Sequence, residues 1–280
     1  MLADMNIKFT KMHGLGNDFV VIDGINQSIA LTEAQIRFIA NRRFGVGCDQ
    51  LLLVEKPQTS EAEFRYRIFN ADGGEVQQCG NGARCFARFV VEQGLTKSDE
   101  ILVETAGGPI VLAIEDNGEV TVNMGVPQFE PASLPFEADS PALTYALQTS
   151  AGELEIAAVS VGNPHAVLVV GDVETAAVNT LGAEIEQHPR FPERVNVGFM
   201  QIVSPELIRL RVYERGAAET LACGTGACAA VAAGRRWSKL GECVKVSLPG
   251  GELVIRWQGE NEPLFMTGPA TRVFEGSITL

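Results

Sequence analysis

Two cysteines, Cys79 and Cys223, are each followed by a Gly-x-Gly sequence, and they are the residues of this chain best suited to chemistry. Residues 79–82 read Cys-Gly-Asn-Gly, and residues 223–226 read Cys-Gly-Thr-Gly. Each sequence precedes a predicted helix, over residues 83–92 in the first case and 227–239 in the second. A cysteine at the start of a helix lies at the positive end of the helix dipole, which lowers the thiol pKa and favours the thiolate. The glycines leave backbone N–H groups free to hold a carboxylate.

Two such cysteines together are suited to inverting the configuration of a carbon that bears a carboxylate. One thiolate would remove a proton from one face of the carbon, and the other cysteine, as a thiol, would return a proton to the opposite face. The helix N-termini would stabilise the carbanionic transition state through its carboxylate. Neither sequence is a dinucleotide-binding or phosphate-binding glycine motif, no pyridoxal-lysine setting is evident, and the cysteine spacing does not match a zinc site. We therefore expect neither a cofactor nor a metal.

The flanks of the two cysteines match at an interval of about half the chain. The cysteines are 223 − 79 = 144 residues apart in a chain of 280, and Glu75 and Glu219 precede them by the same four residues. A strand, Gly-Gly turn, strand pattern at residues 103–111 recurs at 246–254, and residues 16–21 align with 162–167. The sequence therefore predicts two similar domains, residues 1–123 with 269–280 and residues 124–268.

Most of each predicted domain is strand, which together with the helices indicates the α+β class. Alternating apolar residues and short glycine turns favour antiparallel pairing. A weaker helix is predicted over residues 32–41, with Thr32 as its cap. Predicted strands include residues 19–23, 50–55, 64–70, 101–104 and 110–114, and then 166–170, 199–203, 208–213, 244–247 and 252–257.

Composition excludes several classes of protein. The chain has 22 Lys and Arg against 35 Asp and Glu, and its net charge of −13 is unfavourable for binding nucleic acid. No apolar run approaches the ~18 residues that span a bilayer. The N-terminus lacks a basic region followed by an apolar stretch, so we expect a cytoplasmic protein. The remaining cysteines are interpreted as structural packing residues: Cys48, Cys85, Cys228 and Cys243.

Several motifs together resemble the diaminopimelate epimerase family along nearly the whole chain. Residues 9–19 read Phe-Thr-Lys-Met-His-Gly-Leu-Gly-Asn-Asp-Phe, residues 69–73 read Phe-Asn-Ala-Asp-Gly, and residues 162–165 read Gly-Asn-Pro-His. The two cysteine sequences, the second preceded by Ala222, also belong to this resemblance, as does Glu-Arg-Gly at residues 214–216. The combination is specific to this family, although the Cys-Gly-Thr-Gly element by itself also resembles the cofactor-independent proline racemases.

The resemblance implies two domains of antiparallel strands around a central helix, with an active site between the domains. It implies interconversion of LL- and meso-diaminopimelate without pyridoxal phosphate or metal, in lysine and peptidoglycan-precursor biosynthesis. The catalytic cysteines of the family fall on Cys79 and Cys223, and residues thought to tune them fall on His165 and Glu214. The α-carboxylate contacts of the family fall on Gly80, Asn81, Gly224 and Thr225. Its other substrate contacts fall on Asn17, Gln50, Asn70, Asn163, Asn196, Glu214 and Arg215.

These side chains suit a long diamino diacid. Arg215 can hold a distal carboxylate in a forked geometry, and Glu214 can neutralise an ammonium group. A homodimer is also implied by the resemblance. At Phe274, some family members have a tyrosine associated with dimer contacts, and phenylalanine keeps the ring but lacks the hydroxyl.

Three other functions remain open at this point. A racemase of a smaller amino acid such as proline would not need a second head-group site, so Arg215 and the asparagines argue against it. A thiol–disulfide redox protein would pair Cys79 with Cys223, but the chain has no Cys-x-x-Cys sequence in support. A non-catalytic binding protein on the same scaffold would have no use for the cysteine pair.

Overall fold

The computed structural model describes residues 5–76 and 79–280, which form two compact units. One unit ends at Val122 and includes the C-terminal segment Gly268–Leu280, and the other is Asn123–Thr267. Of the helices in the described part of the chain, none combines the length and the hydropathy that crossing a membrane requires.

The first unit contains two helices and nine strands among its described residues. Its elements are β1 (Asn6–Gly14), β2 (Asn17–Asp23), α1 (Glu33–Ala40), β3 (Gln50–Glu55), β4 (Phe64–Asn70), β5 (Glu75–Val76), α2 (Gly80–Glu92), β6 (Glu100–Thr105), β7 (Gly108–Ile114), β8 (Val120–Asn123) and, from the C-terminus, β18 (Thr271–Thr279). Thr32 caps α1 as predicted, because its hydroxyl accepts a hydrogen bond from the backbone N–H of Gln35.

The second unit repeats this order of elements. It contains β9 (Tyr145–Thr149), β10 (Gly152–Ser160), β11 (Pro164–Val169), α3 (Val178–Glu186), β12 (Asn196–Ser204), β13 (Leu207–Glu214), β14 (Ala218–Thr220), α4 (Gly224–Arg236), β15 (Cys243–Leu248), β16 (Gly251–Trp257) and β17 (Leu264–Gly268), with a short 3-10 helix at Pro131–Ser133. Every predicted strand is present, although the one predicted over residues 166–170 ends at Val169. The α+β class is confirmed.

The predicted antiparallel pairing does not hold at two places in each unit. Strands β2 and β3 are parallel, as are β4 and β6, and in the second unit β11 and β12, and β13 and β15. In each case a helix lies between the two paired strands in the chain order. A helical crossover returns the chain to the same end of the sheet, so the next strand runs parallel to the first.

A buried helix lies at the centre of each unit. Helix α2 packs against β1, β2, β3 and β7, and α4 packs against β10, β11, β12, β13 and β16. Ten of the thirteen residues of α4 are buried, which its glycines and alanines permit because small side chains let the strands approach closely. Both helices are therefore held in place by strands on several sides.

Both central helices begin three residues earlier than predicted, at Gly80 and Gly224, and α4 ends at Arg236 rather than at residue 239. Low helix propensity argues against glycine in a helix, but close packing requires it here. A Cβ atom at Gly82 would lie 2.5 Å from the hydroxyl oxygen of Tyr66. Because the helices begin at Gly80 and Gly224, the residues before them, Cys79 and Cys223, are their N-cap residues.

Candidate active site

Cys79 caps α2 in an extended conformation, with φ −146° and ψ 120°. Its carbonyl oxygen accepts hydrogen bonds from the backbone N–H of Ala83 at 2.8 Å and from the Tyr66 hydroxyl at 3.3 Å. The thiol is half-buried, and Sγ lies 3.8 Å from Oδ1 of Asn17 as a hydrogen-bond donor. The first of the two predicted cysteines is thus fixed at a helix N-terminus beside a neutral amide.

The predicted amide side chains Asn17, Gln50 and Asn70 lie at the ends of three neighbouring strands. Asn17 begins β2, Gln50 begins β3 and Asn70 ends β4, which runs antiparallel to β3. Asn17 Oδ1 also accepts from Nδ2 of Asn81 at 3.2 Å, and Gln50 Nε2 donates to Oδ1 of Asn70 at 2.9 Å. Gly80 and Asn81 occupy the first turn of α2.

A cluster of charged side chains that sequence reasoning did not identify lies behind Asn17. Lys11 Nζ is 2.6 Å from the Asp18 carboxylate, and Arg42 bonds both Asp18 and Asp49. Burial opposes ionisation of Asp18, but hydrogen bonds from Arg42 and Lys11 outweigh it and hold the pKa of Asp18 well below its usual range. Asp18 and Asp49 are 31 residues apart in the chain, so no local pattern connects them.

Cys223 caps α4 and is only 3% exposed. Its thiol donates a hydrogen bond of 3.0 Å to Oε2 of Glu214, and Sγ is 3.6 Å from the hydroxyl of Thr225. The other Glu214 oxygen accepts from the hydroxyl of Thr220. The carboxylate predicted to tune this cysteine is thus in direct contact with it.

The expectation of a lowered thiol pKa is wrong for Cys223. Burial raises the pKa of Cys223 well above its usual value, and the negative charge and hydrogen bond of Glu214 raise it further. Donors such as the backbone N–H of Gly226 act in the opposite direction but do not compensate. The helix dipole is therefore outweighed by desolvation and by an adjacent carboxylate, and Cys223 is a thiol in the resting protein.

The remaining predicted residues of the second unit lie at the ends of β11, β12 and β13. Asn163 Oδ1 is 3.0 Å from Nε2 of His165, and His165 is the register partner of Asn196. Asn196 is buried and uses its whole amide on backbone, since Nδ2 donates to the carbonyl of Pro164 and Oδ1 accepts from the N–H of Arg215. Asn196 therefore positions the chain at Arg215.

Arg215 is exposed, and its guanidinium donates one hydrogen bond, of 3.1 Å, to the carbonyl of Glu193. The next residue, Gly216, donates its N–H to the buried carboxylate of Glu186 at 2.8 Å. The turn that carries Arg215 is thus anchored while the side chain stays accessible.

His165 is fully buried, and its imidazole is uncharged. Burial, and then the positive charge of Arg215, lower the pKa of His165 to about 3. The imidazole is therefore neutral near pH 7 and acts on its surroundings through hydrogen bonds and not through charge. Its Nδ1 is buried with no hydrogen-bond partner among the described residues.

The two units place different chemistry at matched positions. Asn17 and Asn163 correspond in sequence, but Phe19 of the first unit corresponds to His165 of the second. These two residues hold equivalent parallel register positions, Phe19 opposite Gln50 and His165 opposite Asn196. By the 144-residue interval, Asn70 corresponds to Glu214 in the same way. The ionisable partners at these positions therefore lie in the second unit.

Of the four cysteines interpreted as packing residues, three fit that interpretation. Cys48, Cys85 and Cys228 are buried. Cys243 is exposed, so its interpretation was wrong: burial alternates along β15, and Cys243 lies at an outward position. Within residues 5–76 and 79–280 no group of three or more His, Cys, Asp or Glu side chains is arranged to bind a metal ion.

Comparison with known proteins adds the family. Residues 9–130 and 157–273 match the family described as Diaminopimelate epimerase. The chain belongs to this family. A diaminopimelate epimerase from Thioalkalivibrio sulfidiphilus is 63% identical over 99% of this chain and 100% of its own length. Those of Nitrosomonas europaea and Nitrosospira multiformis are 61% and 59% identical over 99% of this chain and 100% and 99% of their own lengths.

Two solved structures share the fold at low sequence identity. A phenazine biosynthesis protein of the PhzF family from Bacillus anthracis has a TM-score of 0.72 at 17% identity, covering 99% of this chain and 100% of that chain. A hydroxyproline epimerase from Agrobacterium vitis has a TM-score of 0.70 at 18% identity, covering 98% and 93%. These likenesses support the fold of the family.

Because His165 is buried and neutral, the free energy of unfolding depends on pH. An unfolded histidine has a pKa near 6.5, so between about pH 6.5 and 3 the unfolded chain binds a proton that the folded chain does not. Stability from this group is present above that window and is lost as pH falls through it, by at most about 1.4 kcal/mol per pH unit. We expect His165→Phe, which copies Phe19, to flatten the decline in unfolding free energy from pH 6.5 to 4, measured by urea denaturation. An unchanged decline would contradict a neutral buried His165.

Proposed function

We propose that this chain interconverts LL- and meso-diaminopimelate, with Cys79 and Cys223 as the two acid–base groups. The observation that carries the proposal is that each of two matched units caps its buried central helix with a cysteine. The relatives named diaminopimelate epimerase, at 59–63% identity over nearly the whole chain, support the substrate. One cysteine removes the α-proton as a thiolate, and the other delivers a proton to the opposite face as a thiol.

The partners of the cysteines suit proton transfer in both directions. Cys223 is protonated in the resting protein, so it is ready to protonate a carbanion. When it acts as the base in the reverse direction, the Glu214 carboxylate at 3.0 Å can accept its proton and leave a thiolate. Cys79 instead faces a neutral amide, with Sγ 3.8 Å from Oδ1 of Asn17. The two thiols therefore begin in different environments, as two opposite roles require.

The helix N-termini supply the electrostatic stabilisation. The first N–H groups of an α-helix have no partner within the helix, and here they belong to Gly80 and Asn81 in α2 and to Gly224 and Thr225 in α4. We assign them to the α-carboxylate of the substrate. Because negative charge grows on that group as the α-proton leaves, donors fixed in advance lower the barrier.

The distal end of the substrate is assigned to Arg215 and the amides. Arg215 is accessible, carries five N–H donors and uses one of its nitrogens on the Glu193 carbonyl. It can therefore hold a carboxylate with its remaining donors. Asn70 occupies the position matched to Glu214, and Asn163 the position matched to Asn17. Both amides can bind polar atoms of the substrate without adding charge.

Three further features of the proposal concern organisation and location. We infer two domains, residues 1–123 with 269–280 and residues 124–268, each supplying one cysteine. A homodimer, with Phe274 at its contact, and a cytoplasmic location remain predictions. Phe274 is 47% exposed on β18, which is compatible with a contact surface.

Replacement of either cysteine tests the two-base reaction. We expect Cys79→Ala and Cys223→Ala each to lower kcat for LL-diaminopimelate by more than about a thousandfold, because each removes an obligatory acid or base. Cys243→Ala, which removes an exposed thiol, is the matched control and should retain full activity. The measurement is epimerisation rate, with circular dichroism to verify folding. Full activity in either of the first two variants would refute the mechanism.

Replacement of Arg215 tests the distal site. We expect Arg215→Ala to raise KM for LL-diaminopimelate by about ten- to a hundredfold, since a charge-assisted contact to a carboxylate is worth about 1.5–3 kcal/mol. The melting temperature should hardly change, because the side chain is exposed. Arg194→Ala, an exposed arginine nearby in the chain, serves as the control. An unchanged KM for Arg215→Ala would remove this residue from the site.

A further inference from the structure

The amide that contacts Cys79 is backed by a carboxylate. Oδ2 of Asp49 accepts a hydrogen bond from Nδ2 of Asn17 at 3.0 Å and another from the backbone N–H of Asp18 at 3.1 Å. The other oxygen of Asp49 is 2.6 Å from Arg42. Asn17 thus lies between a carboxylate on one side and the Cys79 thiol on the other.

This arrangement determines which end of the Asn17 amide points at the sulfur. A carboxylate can only accept hydrogen bonds, so the end of the amide that faces Asp49 must be the NH₂ group. The oxygen then faces Sγ of Cys79 at 3.8 Å and accepts from Nδ2 of Asn81 at 3.2 Å. A reversed amide would turn an oxygen toward the Asp49 carboxylate and an NH₂ group toward that of Asn81. Two contacts therefore oppose reversal.

Asp49 is itself held by a network of charges. Its backbone N–H donates to Oδ1 of Asp18 at 2.8 Å, and Arg42 bonds Asp18 at 2.9 and 2.7 Å while also reaching Asp49. Lys11 Nζ donates to the same Asp18 carboxylate at 2.6 Å. A carboxylate fixed by so many partners can restrain the group that it accepts from.

The second unit has no equivalent of the hydrogen bond between Asp49 and Asn17. The residue at the position matched to Asp49 is Val195, which is buried, and the amide of Asn163 presents its oxygen to His165. Cys223 instead takes a charged acceptor, Glu214. The Asp49 contact is therefore specific to the unit whose thiol faces a neutral amide.

We propose that Asp49 is a positioning residue that fixes the direction of the Asn17 amide, so that Cys79 faces a hydrogen-bond acceptor and not a donor. An acceptor favours the S–H form of the cysteine, whereas an NH₂ group would stabilise the thiolate. The consequence for catalysis rests on the proposed function, but the effect on the thiol does not. Other ionisable groups near Cys79 include Tyr66, whose hydroxyl donates to the Cys79 carbonyl, and Cys85 of the same helix.

The experiment must separate orientation from the charge of Asp49, because loss of a negative charge also favours a thiolate. A double-mutant cycle does so with Asp49→Ala, Asn17→Ala and both together in the full chain. The readout is the rate at which iodoacetamide alkylates Cys79 from pH 6 to 10, followed by mass spectrometry of the Cys79 peptide. This reaction needs no substrate turnover, so its outcome is independent of the proposed epimerisation.

We expect Asp49→Ala to increase alkylation of Cys79 at pH 7 by about three- to tenfold, the effect of one hydrogen bond on an equilibrium. In the Asn17→Ala background the same change should have no effect. An equal increase in both backgrounds would show a charge effect through space and overturn the proposal, as would no increase in either.

The matched control is Asp23→Ala. Asp23 ends β2, as Asn17 begins it, and accepts from the N–H groups of Ile25 and Asn26 without contacting Asn17. It should leave Cys79 alkylation unchanged, and an increase equal to that of Asp49→Ala would attribute the effect to general loosening of β2. If Asp49→Ala does not fold, Asp49→Ser, whose shorter side chain also withdraws the acceptor, completes the same cycle.

Discussion

A cysteine at the N-cap of a buried, glycine-rich helix is the constraint on which the rest of each unit depends. Strands pack against this helix on several sides, so the side chains of its first turn must be small. Both helices have glycines there, and their later turns contain alanines or other buried residues. The predicted polar residues of each unit lie where neighbouring strands begin or end, at β2, β3 and β4 in the first unit and at β11, β12 and β13 in the second. Asn17, which contacts the Cys79 thiol, and Glu214, which contacts the Cys223 thiol, lie at these strand ends, and Thr225 lies in the first turn of the helix.

The two units hold their thiols at matched positions but in unequal environments. Asn70 and Phe19 in the first unit have side chains that do not ionise, where the second unit has the ionisable residues Glu214 and His165. Burial and the Glu214 carboxylate keep Cys223 protonated, while Cys79 faces an amide whose direction Asp49 restrains. The two thiols therefore differ in the acceptor that each faces, which is a carboxylate for Cys223 and an amide oxygen for Cys79.

Sequence reasoning predicted many of the strands, the two central helices and a carboxylate, Glu214, beside Cys223. The strands and helices follow from a repeated motif and local periodicity, and Glu214 from the family resemblance. Helix α3 was not predicted, since its N-cap is Ala177 and makes no side-chain capping bond. The parallel strand pairs depend on helical crossovers, which local alternation does not reveal. Asp49 and Arg42 were missed because their partner Asp18 is 31 and 24 residues distant, and the raised pKa of Cys223 depends on burial that only tertiary packing produces.

The distribution of solvent deuterium at low conversion tests the two-base reaction most directly. A thiol carries a single proton, so the cysteine that removes the α-proton of LL-diaminopimelate can return only that proton to the same face. In deuterated water, at a few per cent conversion, we predict deuterium at the inverted α-carbon of the meso product and almost none in recovered LL-diaminopimelate. Equal deuterium in product and recovered substrate would show that one exchangeable base serves both faces, and it would contradict separate roles for Cys79 and Cys223.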